Sequence, residues 1–152
     1  MRLFLDANII YSAAKSDSGA SSAIFLIKYK FKFSLITSKL ALTEAERNIA
    51  EKETPHVLNR FYELIKDLDT ISVNSNKAKQ FYRDIIEEKD APILFGAKHS
   101  KADYLITLDK KHFLTKKMLK QKFSFEIITP GDFILKLKPD FRKLVPWLQF
   151  LN

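Results

Sequence analysis

The chain has 152 residues, 46% of them hydrophobic, which suits one domain with a sizeable buried core. Three glycines and five prolines argue against disorder, the absence of cysteine excludes disulfides and thiolate chemistry, and no apolar run approaches the ~20 residues that span a bilayer. The formal net charge of +8 favours anionic partners: nucleic acid, an acidic protein or a membrane surface.

The first half of the chain predicts two strands and four helices. A strand over residues 2–6, RLFLD, ends at Asp6, and helices follow over 9–15 and 21–31. The second strand is FSLIT, residues 33–37. Thr37 or Ser38 is a suitable N-cap for a helix over 39–52, and Thr54 with Pro55 opens another over 54–68.

The second half continues the alternation of strands and helices. A third strand over 70–73 precedes one helix over 74–89 and another over 90–100, which Asp90 can cap. A fourth strand (103–108), one helix (110–122), a fifth strand (125–129) and a last helix (130–137) follow. The alternation predicts an α/β fold of three layers, α/β/α, around a central, mostly parallel sheet of five strands.

The chain shows no repeat and no linker, so residues 1–138 are predicted as one domain and 139–152 as an apolar tail. The apolar side chains of the tail are expected to pack on the domain, and a homodimer contact is the alternative. These side chains are Trp147, Leu148, Phe150 and Leu151. The N-terminal apolar run stops at Asp6, which argues against a secretory signal and favours a cytoplasmic setting.

Acidic residues follow two of the predicted strands. Asp6 and Asp109 each close an apolar run, and a carboxylate just past a parallel strand points into the crevice outside the carboxyl edge of the sheet. Glu44 and Asp90 lie on helices that could face them, although singly the first is typical of a solvated side chain and the second of a cap. A cluster of carboxylates is unfavourable unless a cation holds it, which suggests Mg²⁺ or Mn²⁺.

Other polar residues compete with these acids as candidates. Asp103 and Asp109 are six residues apart and share a strand face, although Asp103 would lie at the far end of the strand. Thr107 shares that face, so its hydroxyl could orient a ligand. Glu46 projects about 200° away from Glu44 around the helix and is rejected. The three histidines have no metal-like spacing, and they are His56, His99 and His112.

Basic residues gather in three stretches, for which solvated helix faces are the simplest explanation. A basic surface around an acidic metal site also suits a phosphodiester substrate. These residues are Lys28, Lys30 and Lys32; Lys110, Lys111, Lys116, Lys117, Lys120 and Lys122; and Lys136, Lys138, Arg142 and Lys143.

Four motifs in order give the chain a family resemblance. An early strand ends in D-x-N, in LDANII, and a serine or threonine after the second strand leads a helix with a glutamate, in TSKLALTEAERNI. An aspartate precedes a helix in DAPILFGAKHS, and a later strand ends in T-x-D, in ADYLITLDKKHF. From LDANII through ITPGDF the chain resembles PIN-domain nucleases, a group that includes the toxins of many bacterial and archaeal toxin–antitoxin pairs.

The resemblance implies a set of site residues. The metal-binding and catalytic acids would be Asp6, Glu44, Asp90 and Asp109, holding one or two Mg²⁺ or Mn²⁺ ions. Asp103 matches an AD dipeptide found in part of the family and is carried over as a further ligand. Residues expected to support the ligands are Asn8, Ser38 and Thr107, and those expected to contact RNA phosphates are Lys110 and Lys111. Leu108 departs from the small or polar residue that related sequences often have.

The resemblance implies a metal-dependent ribonuclease acting on single-stranded or structured RNA. The protein could also be the toxin of a toxin–antitoxin pair, with an antitoxin protein as its partner. Two alternatives remain open. A phosphotransfer protein could use Asp6 as its nucleophile, although a haloacid-dehalogenase-like phosphatase would have an aspartate where Asn8 stands, and a receiver domain would have an acidic pair that is not evident. The other alternative is a catalytically inactive PIN-like module that binds nucleic acid or protein, and its main support is the basic surface.

Overall fold

Five parallel strands form the centre of the protein in the computed structural model, which describes the backbone of residues 1–144 and the side chains of 1–137. The sheet order is β3–β2–β1–β4–β5. Strand β1 lies in the core, where Leu3, Phe4 and Leu5 have no exposed surface, as expected for the central strand of a parallel sheet. The strands are β1 (Arg2–Leu5), β2 (Ser34–Ser38), β3 (Asp69–Ile71), β4 (Tyr104–Ile106) and β5 (Glu126–Ile128).

Helices cover both faces of this sheet. Right-handed crossovers place α1 to α4 on one face and α5 to α8 on the other. Helix α1 contacts α2, α3 and α4, α2 contacts α9, and α5 contacts α6. The predicted three-layer α/β fold with a five-stranded sheet is therefore confirmed. The helices are α1 (Ala7–Lys15), α2 (Ala20–Phe31), α3 (Lys39–Lys52), α4 (Pro55–Ile65), α5 (Ser75–Tyr82), α6 (Ala91–His99), α7 (Lys110–Phe113), α8 (Lys116–Leu119) and α9 (Pro130–Leu144).

Three predicted helices depart most from the structure in their extent, and the last of them, expected over 130–137, runs to Leu144. The helix expected over 74–89 ends at Tyr82, and turns lead from there to α6. Tyr82 is buried, and Ile85 and Ile86 pack against the core, so tertiary packing overrides local helix propensity. The helix expected over 110–122 is split into α7 and α8, because the Thr115 hydroxyl accepts the Met118 N–H and starts a new helix.

The carboxyl ends of β1 and β4 meet at the point where the sheet reverses its winding. The chain leaves β1 towards β2 and leaves β4 towards β5, so their C-terminal ends flank a topological switch point. Leu5 pairs with Ile106, and the Asp6 N–H continues the ladder by donating to the Ile106 carbonyl at 3.1 Å. Open α/β sheets bind ligands in this crevice, so the fold places the residues after β1 and β4 where a site is expected.

Helix α6 approaches β1 closely through a glycine. A Cβ atom built at Gly96 would lie 2.5 Å from Cζ of Phe4, which is fully buried. Only a residue without a side chain permits this approach. The contact holds α6 against the sheet and places its first turn, preceded by Asp90, beside the switch point.

Helix α9 continues to Leu144, past the position at which the domain and the tail were divided. The predicted contacts of the tail lie outside the described residues, as do the side chains of Lys138, Arg142 and Lys143. Across the residues that the structure describes, every helix is too short or too polar to cross a membrane.

Candidate metal centre

Asp6 is a buried carboxylate at the switch point, with 6% of the residue exposed. It follows β1 and is also the N-cap of α1, where its Oδ1 accepts the Ala7 N–H at 2.7 Å. Burial raises the pKa of Asp6 to about 6, and repulsion from Glu44 and Asp109 adds to the increase, whereas bonds from Thr107 and Ala7 oppose it. Two other acids therefore lie close enough to act on Asp6.

Thr107 and Asn8 connect the residues after β1 to those after β4. The Thr107 hydroxyl donates to Asp6 Oδ2 at 2.6 Å and accepts the Asp109 N–H at 3.0 Å. The Asn8 amide donates to Asp6 Oδ2 at 2.8 Å, and its Oδ1 accepts the Leu108 N–H at 3.0 Å. Asn8 and Thr107 therefore lie next to the acids, as predicted, and their hydrogen bonds fix the position of Asp6 relative to Asp109.

We expect Thr107→Val to weaken divalent-ion binding by about 10–100-fold, because the orienting bonds to Asp6 and Asp109 are lost. It should also cost about 1–3 kcal/mol of stability, since the Asp109 N–H loses its partner. The matched control is Thr37→Val, because Thr37 is equally buried and donates to the Leu5 carbonyl at 2.8 Å on the neighbouring strand. Calorimetric Mn²⁺ titrations giving equal affinities for both variants would contradict this role.

Glu44 lies on α3, beside the other acids and exposed to solvent. It lines a cavity of about 270 Å³ together with Asn8, Tyr11 and Lys52. Glu46 points elsewhere, because its Oε1 accepts the Tyr62 hydroxyl at 2.6 Å, as expected from the angle between the two glutamates. An exposed carboxylate on the rim of a cavity can reach a cation without reorganising the core.

Asp90 has a buried oxygen that lacks a hydrogen-bond partner. It stands at the N-cap position of α6, but its side chain makes no capping bond. The side chain is 15% exposed, and among the described residues its buried Oδ2 accepts no hydrogen bond, although His112 Nδ1 lies 3.8 Å away. Burial raises the pKa of Asp90, and repulsion from Asp109 and Glu87 contributes, although His112 and Lys89 oppose the increase. A buried carboxylate oxygen without a donor suits a cation ligand.

Asp109 forms a close pair with His112. As the N-cap of α7, Asp109 accepts the His112 N–H at Oδ1 (3.0 Å), and its Oδ2 accepts from His112 Nδ1 at 2.6 Å. Burial alone would raise the pKa of Asp109, but these bonds and the positive charge of a protonated His112 lower it overall. The pair holds one carboxylate oxygen of Asp109 in a fixed orientation.

Two residues near the acids were not predicted. Glu87, Asp90 and His112 each offer a ligand atom, and these atoms all lie within 4.8 Å of one another. The spacing between histidines gave no signal for His112, because its partner is the aspartate three residues earlier on the same helical turn. Glu87 was hidden by the helix expected over 74–89, since it lies in the turns after Tyr82.

The remaining predicted residues lie in different places. Asp103 is not brought to the acids: it precedes β4, at the opposite end of the strand from Thr107, and accepts the Arg2 N–H at 2.7 Å. Ser38 ends β2 and caps α3 by accepting the Ala41 N–H at 3.1 Å. The exposed residues Lys110 and Lys111 begin α7, next to Asp109.

Sequence and structure comparisons place this architecture among known proteins. Residues 2–111 match the PIN domain family. A comparison with curated proteins gives no significant match.

Three solved structures share the fold. VapBC2 from Rickettsia felis bound to a DNA fragment from their promoter is similar with a TM-score of 0.63 at 16% identity, covering 85% of this chain and 98% of that one. PAE2754 from Pyrobaculum aerophilum has a TM-score of 0.63 at 14% identity, covering 91% and 96%. A toxin–antitoxin complex from Klebsiella pneumoniae has a TM-score of 0.56 at 17% identity, covering 84% and 97%.

Proposed function

Since this chain belongs to the PIN domain family, as its motifs indicated, we propose that it is a metal-dependent ribonuclease. The observation that carries the proposal is the buried Oδ2 of Asp90, which accepts no hydrogen bond among the described residues and lies 3.8 Å from His112 Nδ1, beside the Asp109–His112 pair. The alternative in which Asp6 is a phosphorylated nucleophile fits less well. Only 6% of the Asp6 residue is exposed, which leaves little room for a phosphoryl group, whereas Oδ1 accepts one hydrogen bond and keeps a lone pair for a cation.

The donor set fits a divalent cation. The proposed ligands Asp6, Glu44, Asp90 and Asp109 supply carboxylate oxygens, which Mg²⁺ and Mn²⁺ prefer. Electrostatic repulsion acts between Asp6 and Glu44, between Asp6 and Asp109, and between Asp109 and Asp90, which supports one shared site for the four acids. Their repulsion is unfavourable without a cation. The proposed ions, one or two, are therefore Mg²⁺ or Mn²⁺.

Such an ion would supply an activated water and neutralise charge at the scissile phosphate. The chain's own residues position its ligands. Thr107 and Asn8 orient Asp6, and His112 orients Asp109. The exposed amines of Lys110 and Lys111 would contact phosphates of the RNA without reading its sequence. We do not assign Asp103 a part in this chemistry, because it lies at the other end of β4.

We further propose that the protein is the toxin of a toxin–antitoxin pair. Solved proteins with this fold include a toxin–antitoxin complex, which supports an antitoxin as the partner. RNA as substrate is supported by the net charge of +8. A homodimer contact through the tail and a cytoplasmic location stay predictions from the sequence.

The direct test is cleavage of end-labelled single-stranded and hairpin RNA with Mg²⁺, with Mn²⁺ or with EDTA. We expect cleavage with either ion and none in EDTA. Asp103→Asn should cut at the wild-type rate, because the asparagine oxygen can still accept the Arg2 N–H far from the acids. Undiminished cutting in EDTA would refute the proposal. RNA binding without cleavage in every metal would favour the binding module instead.

A further inference from the structure

Three neighbouring cavities, each sharing a lining residue with the next, extend from the candidate metal centre. The first, of about 400 Å³, is lined by Arg83, Ile85 and His112. The second, of about 320 Å³, shares Ile85 with the first, and the third, of about 350 Å³, shares Phe81 with the second. Because His112 also bonds to Asp109, the line of cavities begins at the acids.

Aromatic rings line the second and third cavities. Phe81 is 55% exposed, and its ring meets the ring of Phe95 edge-on, with 6.2 Å between the centroids. Phe95 in turn stacks on His99 at 4.0 Å. Phe123 and Phe125 stack on each other at 5.2 Å in the second cavity. Phe125 is buried, so the exposed Phe81 and the half-buried Phe95 are the rings that offer stacking platforms for bases of a single strand.

The charge around these rings is positive. The second and third cavities are lined by Lys77, Lys98 and Lys122 and by no acidic residue among those described. Lys98 Nζ lies 4.2 Å from the centroid of the Phe81 ring, a cation–π contact that leaves the ammonium group near the ring. Among the side chains that the structure describes, none of the three lysines forms a salt bridge. They are therefore available to phosphates.

The first cavity has mixed charge, because Arg83, Lys111 and Lys117 line it together with Asp84 and Glu87. Asp84 pairs with Arg83 at 3.3 Å, and Glu87 pairs with Lys89 at 3.4 Å. The lining of the cavities thus becomes more positive with distance from the acids. An RNA strand in the distant cavities would be beyond the reach of a metal ion at the acids. A phosphate backbone would be bound by the ions at one end and by lysines at the other.

We propose that the second and third cavities are an exosite that holds single-stranded RNA beside the catalytic acids. Bases would stack on Phe81 and Phe95, and phosphates would contact Lys98 and Lys122. The inference rests on the proposed ribonuclease function and adds the path of the strand. A second copy of the chain fits this surface less well, because two such faces would bring lysines together.

The test is binding of a fluorescent single-stranded RNA of roughly 12 nucleotides to the full chain in EDTA, measured by anisotropy. We expect Phe81→Ala to weaken binding about tenfold, the loss of one stacked base. The Lys98→Gln/Lys122→Gln double variant should lower the salt slope by about 1.4, at ~0.7 for each phosphate contact. Tyr62→Ala is the matched control, because Tyr62 is 42% exposed on α4 and lines none of these cavities.

If the wild type binds RNA and the Phe81→Ala and Tyr62→Ala variants bind it equally well, the exosite is overturned and the ribonuclease proposal stands. No RNA binding by the wild type in EDTA would overturn the exosite, and the cleavage assay would then decide the ribonuclease proposal separately. A change in oligomeric state on gel filtration, with RNA affinity retained, would identify the surface as an interface between copies and also overturn the exosite. If circular dichroism shows that Phe81→Ala is unfolded, the lysine double variant decides, because its side chains are at the surface.

Discussion

Replacing Asp6 with asparagine is expected to lower metal-dependent RNA cleavage roughly a thousandfold, since a metal ligand and several kcal/mol of charge stabilisation are lost. The same substitution should raise the melting temperature in chelator at pH 7.5. Asp6 is buried beside Glu44 and Asp109, and its ionised form is unfavourable there without a cation. Loss of activity with a gain in stability would separate a functional role from a structural one.

The pH dependence of this stability difference follows from the pKa of Asp6. The folded protein holds the proton more tightly, because the pKa rises from 3.8 to about 6 on folding. The contribution of Asp6 to stability is therefore greatest below about pH 4 and falls as the pH rises towards 6, by ~3 kcal/mol in total. Above pH 6 the full cost persists in wild type but is absent from Asp6→Asn.

The net gain is smaller than this cost. The asparagine cannot accept all three hydrogen bonds that Asp6 receives, because one of its side-chain atoms is a donor. Losing one bond costs about 1 kcal/mol, which leaves about 2 kcal/mol, or about 4–8 °C in melting temperature for a chain of this size. Thermal melts at pH 7.5 and pH 4 in EDTA measure the gain, which should vanish at the lower pH.

Asp109→Asn supplies a comparison of opposite sign. The bonds from His112 lower the pKa of Asp109 below its usual value, so its ionised form stabilises the folded protein above the pKa of the unfolded chain. This substitution should also abolish cleavage but should lower the melting temperature at pH 7.5. If both variants shift the melting temperature in the same direction, the different environments assigned to the two acids are wrong.

The strand-end acids could be predicted because the signal is local. The apolar run that stops at Asp6 marks the end of β1, the run before Asp109 marks β4, which ends three residues earlier at Ile106, and parallel strands bring their carboxyl ends together. Asp103 shows the limit of this argument. Parity along a strand predicts the face on which a residue lies, but the end of the strand decides whether it reaches the crevice.

The breaks after Tyr82 and before Thr115 could not be predicted from helix periodicity. The first depends on packing of a buried tyrosine against distant elements, and the second on one hydroxyl competing for a backbone N–H. The turns after Tyr82 also bring Glu87 near His112, a contact between residues 25 positions apart on separate segments. Only the pairing of His112 with Asp109 had a usable signal, in their spacing of three on a helix.

We expect divalent ions to raise the melting temperature of the wild type and Asp90→Asn to lose most of that rise. At an ion concentration about 100-fold above its dissociation constant, binding contributes ~2.7 kcal/mol, or about 5–10 °C here. Asp90 is the most informative position for this test, because its buried Oδ2 accepts no hydrogen bond among the described residues. An amide there offers a neutral, weaker ligand to the ion.

The measurement is a thermal melt in MgCl₂ and in MnCl₂, against KCl at equal ionic strength, because general screening of the acids would also stabilise the protein. Asp103→Asn is the matched control and should keep the wild-type response, since its carboxylate lies at the opposite end of β4. An equal rise in Asp90→Asn and Asp103→Asn would remove Asp90 from the ligand set. If KCl raises the melting temperature as much as MgCl₂ does, the acids are only screened and no divalent ion is coordinated there.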